Sequence, residues 1–191
     1  MTEHQAKDLK KLTDRYSEAT AAWEEYWRDH SYYDTWQFWV LLALLILPLV
    51  VLIFRLDREK AFRLGFYGFA VHVLAIYIDL YATTHDWWAY PFKVFPFPPS
   101  SFSLDASLIP VSYMLVYQWT LHRKKNYYVY MGLLAAAFSF ALKPLFVALN
   151  LFELHEATYL TLFVAYLAGG LGSKWIVDLF AFAERRARAK G

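Results

Sequence analysis

Four residues with chemically useful side chains stand where such side chains are costly. His72 and Asp79 lie seven apart in an otherwise apolar stretch, so a helix would carry both on one face. Asp105 opens a later apolar stretch, and Lys143 interrupts another just before Pro144. A charge at mid-membrane costs about 2.5–3.5 kcal/mol on insertion scales, so each such group needs a partner, water or a task. Two carboxyls and a lysine at similar depth suit a polar pocket, in which Asp79 or Asp105 could act as a general acid while Lys143 keeps the other ionised. His72 with Asp79 suits proton movement. The same residues also have plain structural uses: a Lys143–Asp79 ion pair locking two helices, and Asp105 as an N-cap for free backbone N–H groups.

Aromatic and hydroxylic residues surround these candidates. Tyr77 and Tyr81 flank Asp79, and Ser107, Tyr113, Tyr117 and Gln118 follow Asp105. Between the two acids runs Asp86–Pro99, with Trp87, Trp88, Tyr90 and prolines at 91, 96, 98 and 99. Such a stretch cannot form a regular helix. It reads as a rigid lid, its rings among headgroups or over a pocket. Together with His72, these residues are the candidate ligand-binding set, and Asp79, Asp105 and Lys143 the candidate chemical set. No metal site is expected: the chain has no cysteine, and His4, His30, His72, His85, His122 and His155 are scattered without ligand spacing. No nucleotide-binding loop, serine-hydrolase elbow or basic nucleic-acid patch is present, so no cofactor and no nucleic-acid partner is expected.

The elements that must position these residues are membrane helices. Of the 191 residues 59% are hydrophobic and only 19% charged, with a mean hydropathy of +0.26, where an ordinary globular domain is about 45–50% apolar and about 25% charged. A span needs about 20 residues to cross a ~30 Å core. Five stretches qualify, at 36–54, 61–83, 104–121, 126–151 and 158–183, the third near the minimum. Arg55, Arg58, Lys60 and Arg63 make the first link basic. Arg123, Lys124 and Lys125 do so for the third, and Arg185, Arg186, Arg188 and Lys190 for the tail at 184–191. The second and fourth links are nearly free of such residues. The positive-inside rule then places the N-terminus outside and the C-terminus in the cytoplasm, in a multi-pass protein of the cell membrane. Lys174 and Asp178 read as an intrahelical pair, and Ala165, Ala168, Gly169, Gly170 and Gly172 as a close-packing face.

Residues 1–34 carry five Lys/Arg against eight Asp/Glu and contain neither Gly nor Pro. Leu9, Leu12, Tyr16, Ala19, Trp23 and Tyr26 alternate at spacings of three and four, a heptad seam on an extracellular amphipathic helix. It packs on the protein or the outer leaflet, or forms a coiled coil with another copy.

Asp79, Trp88-Ala89-Tyr90-Pro91, Pro96 and the run Asp105-Ala-Ser-Leu-Ile-Pro-Val-Ser-Tyr-Met-Leu-Val-Tyr-Gln118 resemble an uncharacterised family of small membrane proteins from spore-forming Gram-positive bacteria. The resemblance extends from about Tyr32 to the last helix, and Phe138-Ser139-Phe140 through Pro144 adds to it. It implies a multi-span membrane protein and no particular activity. The family pattern has an acid before this proline, whereas the chain has Lys143, which argues against proton transfer there. Small carotenoid and terpenoid cyclases are similar in architecture only, since their paired-acid motif does not align.

The fold expected is all-α, a five-span bundle preceded by an extracellular helix. The function expected is a membrane module without a catalytic motif: a subunit, sensor or hydrophobic-ligand-binding protein with an outward-facing polar and aromatic pocket. Its partners would be the lipid bilayer, a lipid or isoprenoid, another copy, or a second membrane protein. The alternatives are a cyclase-like intramembrane enzyme on a lipid or isoprenoid, using Asp79 or Asp105 as acid, and a proton-coupled transporter using His72 and Asp79.

Overall fold

The computed structural model describes residues 1–96 and 100–189. Phe97, Pro98 and Pro99 of the expected lid and Lys190 of the expected tail lie outside the described residues. Among the described residues the regular structure is helical apart from one short ladder: α1 Glu3–His30, α2 Trp36–Arg55, α3 Ala61–Thr84, β1 Trp88–Ala89, α4 Ile109–Arg123, α5 Tyr127–Ala137, α6 Lys143–Ala148, β2 Glu153–Leu154 and α7 Tyr159–Arg188. Local chemistry sets the ends. Thr2 and Gln5 form a reciprocal capping box at α1, and Thr158 with Thr161 does the same at α7. Thr35 caps α2, accepting from the Phe38 N–H.

Four helices are long and apolar enough to cross a membrane: Trp36–Arg55, Arg58–Thr84, Tyr127–Ala148 and Tyr159–Arg188. The fifth predicted span, 104–121, forms a helix but is not one of the four. Asp105, Ser107, Pro110, Ser112 and Gln118 dilute its apolar character. Apolar side chains face outward along several helices, as at Ile53 and Phe54, which are 70% and 81% exposed. Such surface suits a hydrocarbon environment better than water. Helix α7 continues through Arg188, past the end expected for the last span at residue 183.

Two π-helical turns interrupt the bundle. Leu104–Leu108 leads into α4, and Phe138–Leu142 joins α5 to α6. In each, an N–H reaches back five residues: Ile109 to the Leu104 carbonyl, Lys143 to that of Phe138. The residue after each is a proline, Pro110 or Pro144. A proline offers no N–H, and its ring clashes with the carbonyl four residues earlier; an extra residue in the turn relieves that clash.

Helix α3 packs against α4 and α7. At the basic end, Gln118 accepts from the Asp57 N–H at 2.8 Å and donates to the Arg55 carbonyl at 2.9 Å, closing the α2–α3 link onto α4. Lys174 pairs with Asp178 within α7, and Arg63 joins Asp178 at 3.7 Å. At the other end β1 and β2 pair antiparallel, Trp88 opposite Leu154 and Ala89 opposite Glu153, tying the two links there together. Only the C-terminal part of α1 docks on the bundle. Leu9, Leu12 and Tyr16 of its seam stay exposed.

Candidate functional site

The site is built at the β1–β2 end. Asp79 lies toward the C-terminus of α3 and is buried. Its Oδ1 accepts from Trp88 Nε1 at 2.7 Å and from Tyr90 Oη at 2.8 Å, and its Oδ2 accepts from the Ser101 N–H at 3.2 Å. All three donors come from the α3–α4 link, so one carboxylate fastens that link back onto its own helix. Hydrogen bonds to an ionised acceptor are about twice as strong as neutral ones. Burial and the neighbouring Asp79 charge push the Tyr90 phenol well above its ordinary pKa, which keeps it a donor.

Lys143 is 1% exposed. The expected direct pair with Asp79 is not formed, because Tyr90 stands between them. Lys143 Nζ donates to Tyr90 Oη at 3.2 Å and rests over the Phe152 ring at 3.5 Å and the Tyr90 ring at 4.8 Å from their centroids. A hydroxyl has one donor and two acceptor sites. Tyr90 uses them as a relay, accepting from the ammonium and donating to the carboxylate.

Asp105 departs from expectation more sharply. It caps no helix: its turn is π-helical and has no side-chain cap. Its carboxyl is 2% exposed and turned inward against that of Asp79. Its Oδ2 has no hydrogen-bond partner among the described residues. The cause is Pro110. With the Ile109 N–H committed to Leu104 and none on Pro110, the Asp105 carbonyl lacks its helical donor, and His72 Nδ1 supplies one at 2.8 Å. A carbonyl only accepts, so Nδ1 carries the proton. His72 thus supports the Asp105 backbone and does not bind the Asp79 carboxylate.

A second lysine bears on the site. Lys93, from the link, is buried, and burial lowers its amine from 10.5 to about 8, with the Asp79 charge pulling the other way. Its ammonium lies over the Trp23 ring at 4.2 Å, while its carbonyl accepts from Trp27 Nε1 and Ser31 Oγ, each at 2.9 Å. Here the end of α1 docks.

Beside Asp79, Asp105 and Lys143 lies a cavity of about 40 Å³. One water needs roughly 10–15 Å³ on such a measure, so there is room for about three. Asp79, Asp105 and Lys143 supply its polar wall, and Trp88, Tyr90, Tyr113 and Tyr166 its rings. Tyr113 is held by donating to the Tyr166 carbonyl at 2.9 Å. Beyond Tyr90 a wider groove of about 460 Å³ opens between α1 and the link, with Trp23, Tyr26 and Glu153 along it. Tyr90 lines both spaces.

Other expected members lie elsewhere. Tyr77 and Tyr81 face outward, 67% and 53% exposed, and Tyr81 stacks on His85. Trp87 is half-buried beside Trp88 and holds the fourth link through its carbonyl. Ser107 is buried but off the cavity wall. Tyr117 belongs to a tyrosine cluster with Tyr67 and Tyr127 nearer the basic end, and Gln118 to the link closure described above. Sequence reasoning did not find Tyr166, Phe152, Ser101 or the role of Lys93. Lone rings within apolar runs carry no signal of the direction they face.

Compared with protein-family models, with curated proteins and with solved structures, the chain finds no match.

Proposed function

We propose that this protein is a membrane-embedded binding module, a subunit or sensor and not a catalyst, that takes a small ligand from the outer side of the membrane. In this reading it crosses five times, α4 with its π-helical turn being the additional crossing, with the N-terminus outside and the C-terminus in the cytoplasm. The alternating basic links support that topology, and it puts the cavity in the outer half of the bundle under the aromatic link. One observation carries the binding reading: two buried carboxyls, Asp79 and Asp105, and the buried Lys143 ammonium wall a single cavity among rings and apolar side chains. Such groups are costly to bury, so a cavity walled by three of them points to something polar that fills it.

The cyclase-like reading draws support from the rings around both acids, but about 40 Å³ is far below the ~300–1,000 Å³ of ordinary ligand pockets. The transporter reading loses its pairing, because His72 engages the Asp105 carbonyl. Native mass spectrometry of the gently solubilised protein, with extraction of whatever is released, tests the proposal. A stoichiometric small molecule or lipid that Asp105→Asn fails to retain supports it. A ligand-free parent protein, identical in mass to the variant in every charge state, overturns it.

A further inference from the structure

The groove between α1 and the link, about 460 Å³, has the size of an ordinary ligand site, roughly 300–1,000 Å³. Its wall is aromatic and small: Trp23 and Tyr26 from α1, Tyr90 and Pro91 from the link, and alanines among them. Trp23 and Tyr26 stand nearly perpendicular, at 81° with centroids 5.7 Å apart, like two sides of a box. They are 41% and 39% exposed, so much of each ring stays uncovered after α1 docks. Glu153 is the one charged residue along the groove among the described residues. Its Oε2 lies 3.5 Å from His155, whose closer partner is Asp86 at 2.6 Å. Acids continue along the same helix, where Glu18, Glu25 and Asp29 line the next hollow against Arg28 alone. Trp23 already holds one cation, the Lys93 ammonium at 4.2 Å. Lys93 belongs to a neighbouring hollow with no room left for water, and does not line the groove.

Rings and a carboxylate, with no cation on the wall, suit a positively charged ligand, and the acidic surroundings favour its arrival. The wall also selects among cations. An ammonium or a guanidinium brings three or five N–H donors and keeps its water unless acceptors replace it. Here one carboxylate is the only ionised acceptor. A quaternary ammonium has no N–H to satisfy, and its methyl groups carry the charge directly against ring faces. We propose that the groove is a site for a trimethylammonium group, held in the angle of Trp23 and Tyr26 with Glu153 as counter-charge. This site lies outside the cavity, touches it only through Tyr90, and does not rest on the binding reading above. The same group occurs on phosphocholine lipid headgroups and on free small molecules, and the test separates the two.

The full-length protein in phosphatidylglycerol nanodiscs is titrated with choline by calorimetry. Two comparisons run beside it: methylguanidinium, and the neutral isostere of choline with a tert-butyl group in place of trimethylammonium. Choline is expected to bind one-to-one, about tenfold or more tighter than either. Ala22 lines the groove from an exposed helical position, so Ala22→Leu fills it without touching the core. Ala22→Leu is expected to weaken choline about tenfold, and Glu153→Gln several-fold, both at unchanged melting temperature. Asp105→Asn alters the cavity alone and is expected to bind as the parent does. Weaker choline binding in phosphatidylcholine nanodiscs identifies the lipid headgroup as the natural source, and equal binding in both identifies a free molecule. No binding in phosphatidylglycerol nanodiscs, either comparison binding as well as choline, or full affinity in Ala22→Leu or Glu153→Gln overturns the proposal. Lost binding in Asp105→Asn overturns it too, by moving the site to the cavity.

Discussion

Lys143 and Asp79 are joined through a single oxygen. Tyr90 Oη lies 3.2 Å from the ammonium and 2.8 Å from the carboxylate. A buried cation and a buried anion on two helices are thus coupled by a residue of the connecting link. Tyr90→Phe keeps the ring and deletes the relay. A hydrogen bond to a charged group is worth about 1.5–3 kcal/mol, and the variant should lose at least one such bond. Thermal unfolding in detergent should register a drop of several degrees, larger than for Tyr81→Phe on the exposed face of α3.

The two acids should respond unequally to neutralisation. Asp79→Asn weakens three hydrogen bonds and strands the charge of Lys143, a change of the kind that costs about 3–5 kcal/mol. Asp105→Asn alters an oxygen that no described residue donates to, so stability should change by less than about 1 kcal/mol. Denaturation of both variants side by side checks the asymmetry, and equal losses would refute it.

Neighbouring glycines of α7 should also diverge. A Cβ at Gly170 falls 2.6 Å from Tyr113 Cε1, and Tyr113 is held by its bond to the Tyr166 carbonyl. Gly170→Ala must displace that ring, at about 1–3 kcal/mol. Gly169→Ala, with open space before it, should be neutral or slightly stabilising. Melting temperatures of the pair decide this.

The two links at the cavity end are clipped by a histidine. His155 Nδ1 lies 2.6 Å from Asp86 Oδ1, and chiefly that bond, helped by Glu153 at 3.5 Å, raises its pKa above 6.5. A raised histidine pKa means that its stabilisation is complete below about 6.5 and fades as pH climbs through the raised value. Hydrogen exchange of the β1–β2 amides should therefore quicken as pH passes that value, after correction for intrinsic rates. In His155→Gln the corrected rates should not vary with pH over this range.

Topology can be read directly because the chain has no cysteine. Ser17 and Ala187 are both exposed. A membrane-impermeant maleimide applied to intact cells should label Ser17→Cys, and should label Ala187→Cys only after permeabilisation. The reverse pattern would invert the proposed orientation.

Much of this arrangement is legible in the residues themselves. Apolar runs locate the helices to within a few positions, because four of them are long and apolar enough to cross a membrane and so announce themselves whatever their neighbours. Depth alone allows Asp79, Asp105 and Lys143 to meet but does not require it, because the order of helices around a bundle is not written in one chain. Their chemistry is less legible still. Whether Lys143 touches Asp79 directly or through Tyr90 depends on how a proline-rich link folds back, and no periodicity governs that. The roles of Pro110 and Pro144 are half legible: a proline inside an apolar run announces a fault, but not that the fault is a π-helical turn exposing the Asp105 carbonyl to His72. Tyr77 and Tyr81 show the opposite failure. Their proximity in sequence to Asp79 suggested a shared wall, while the helix turns them to the outside.

The π-helical turns also absorb a residue without turning the helices they lead into. Each holds one residue more than an α-helical turn would, and because the turn closes over five residues, those downstream keep the phase of an α-helix one residue shorter. Deleting Phe140 should leave Lys143 facing the cavity but would set the Ser139 carbonyl four residues before Pro144, where the proline ring clashes with it. A residue added to a turn already full has no such outlet and would swing Lys143 by about 100° off the cavity wall. Insertions at 138–142 or 104–108 should therefore be far less tolerated than substitutions that preserve length.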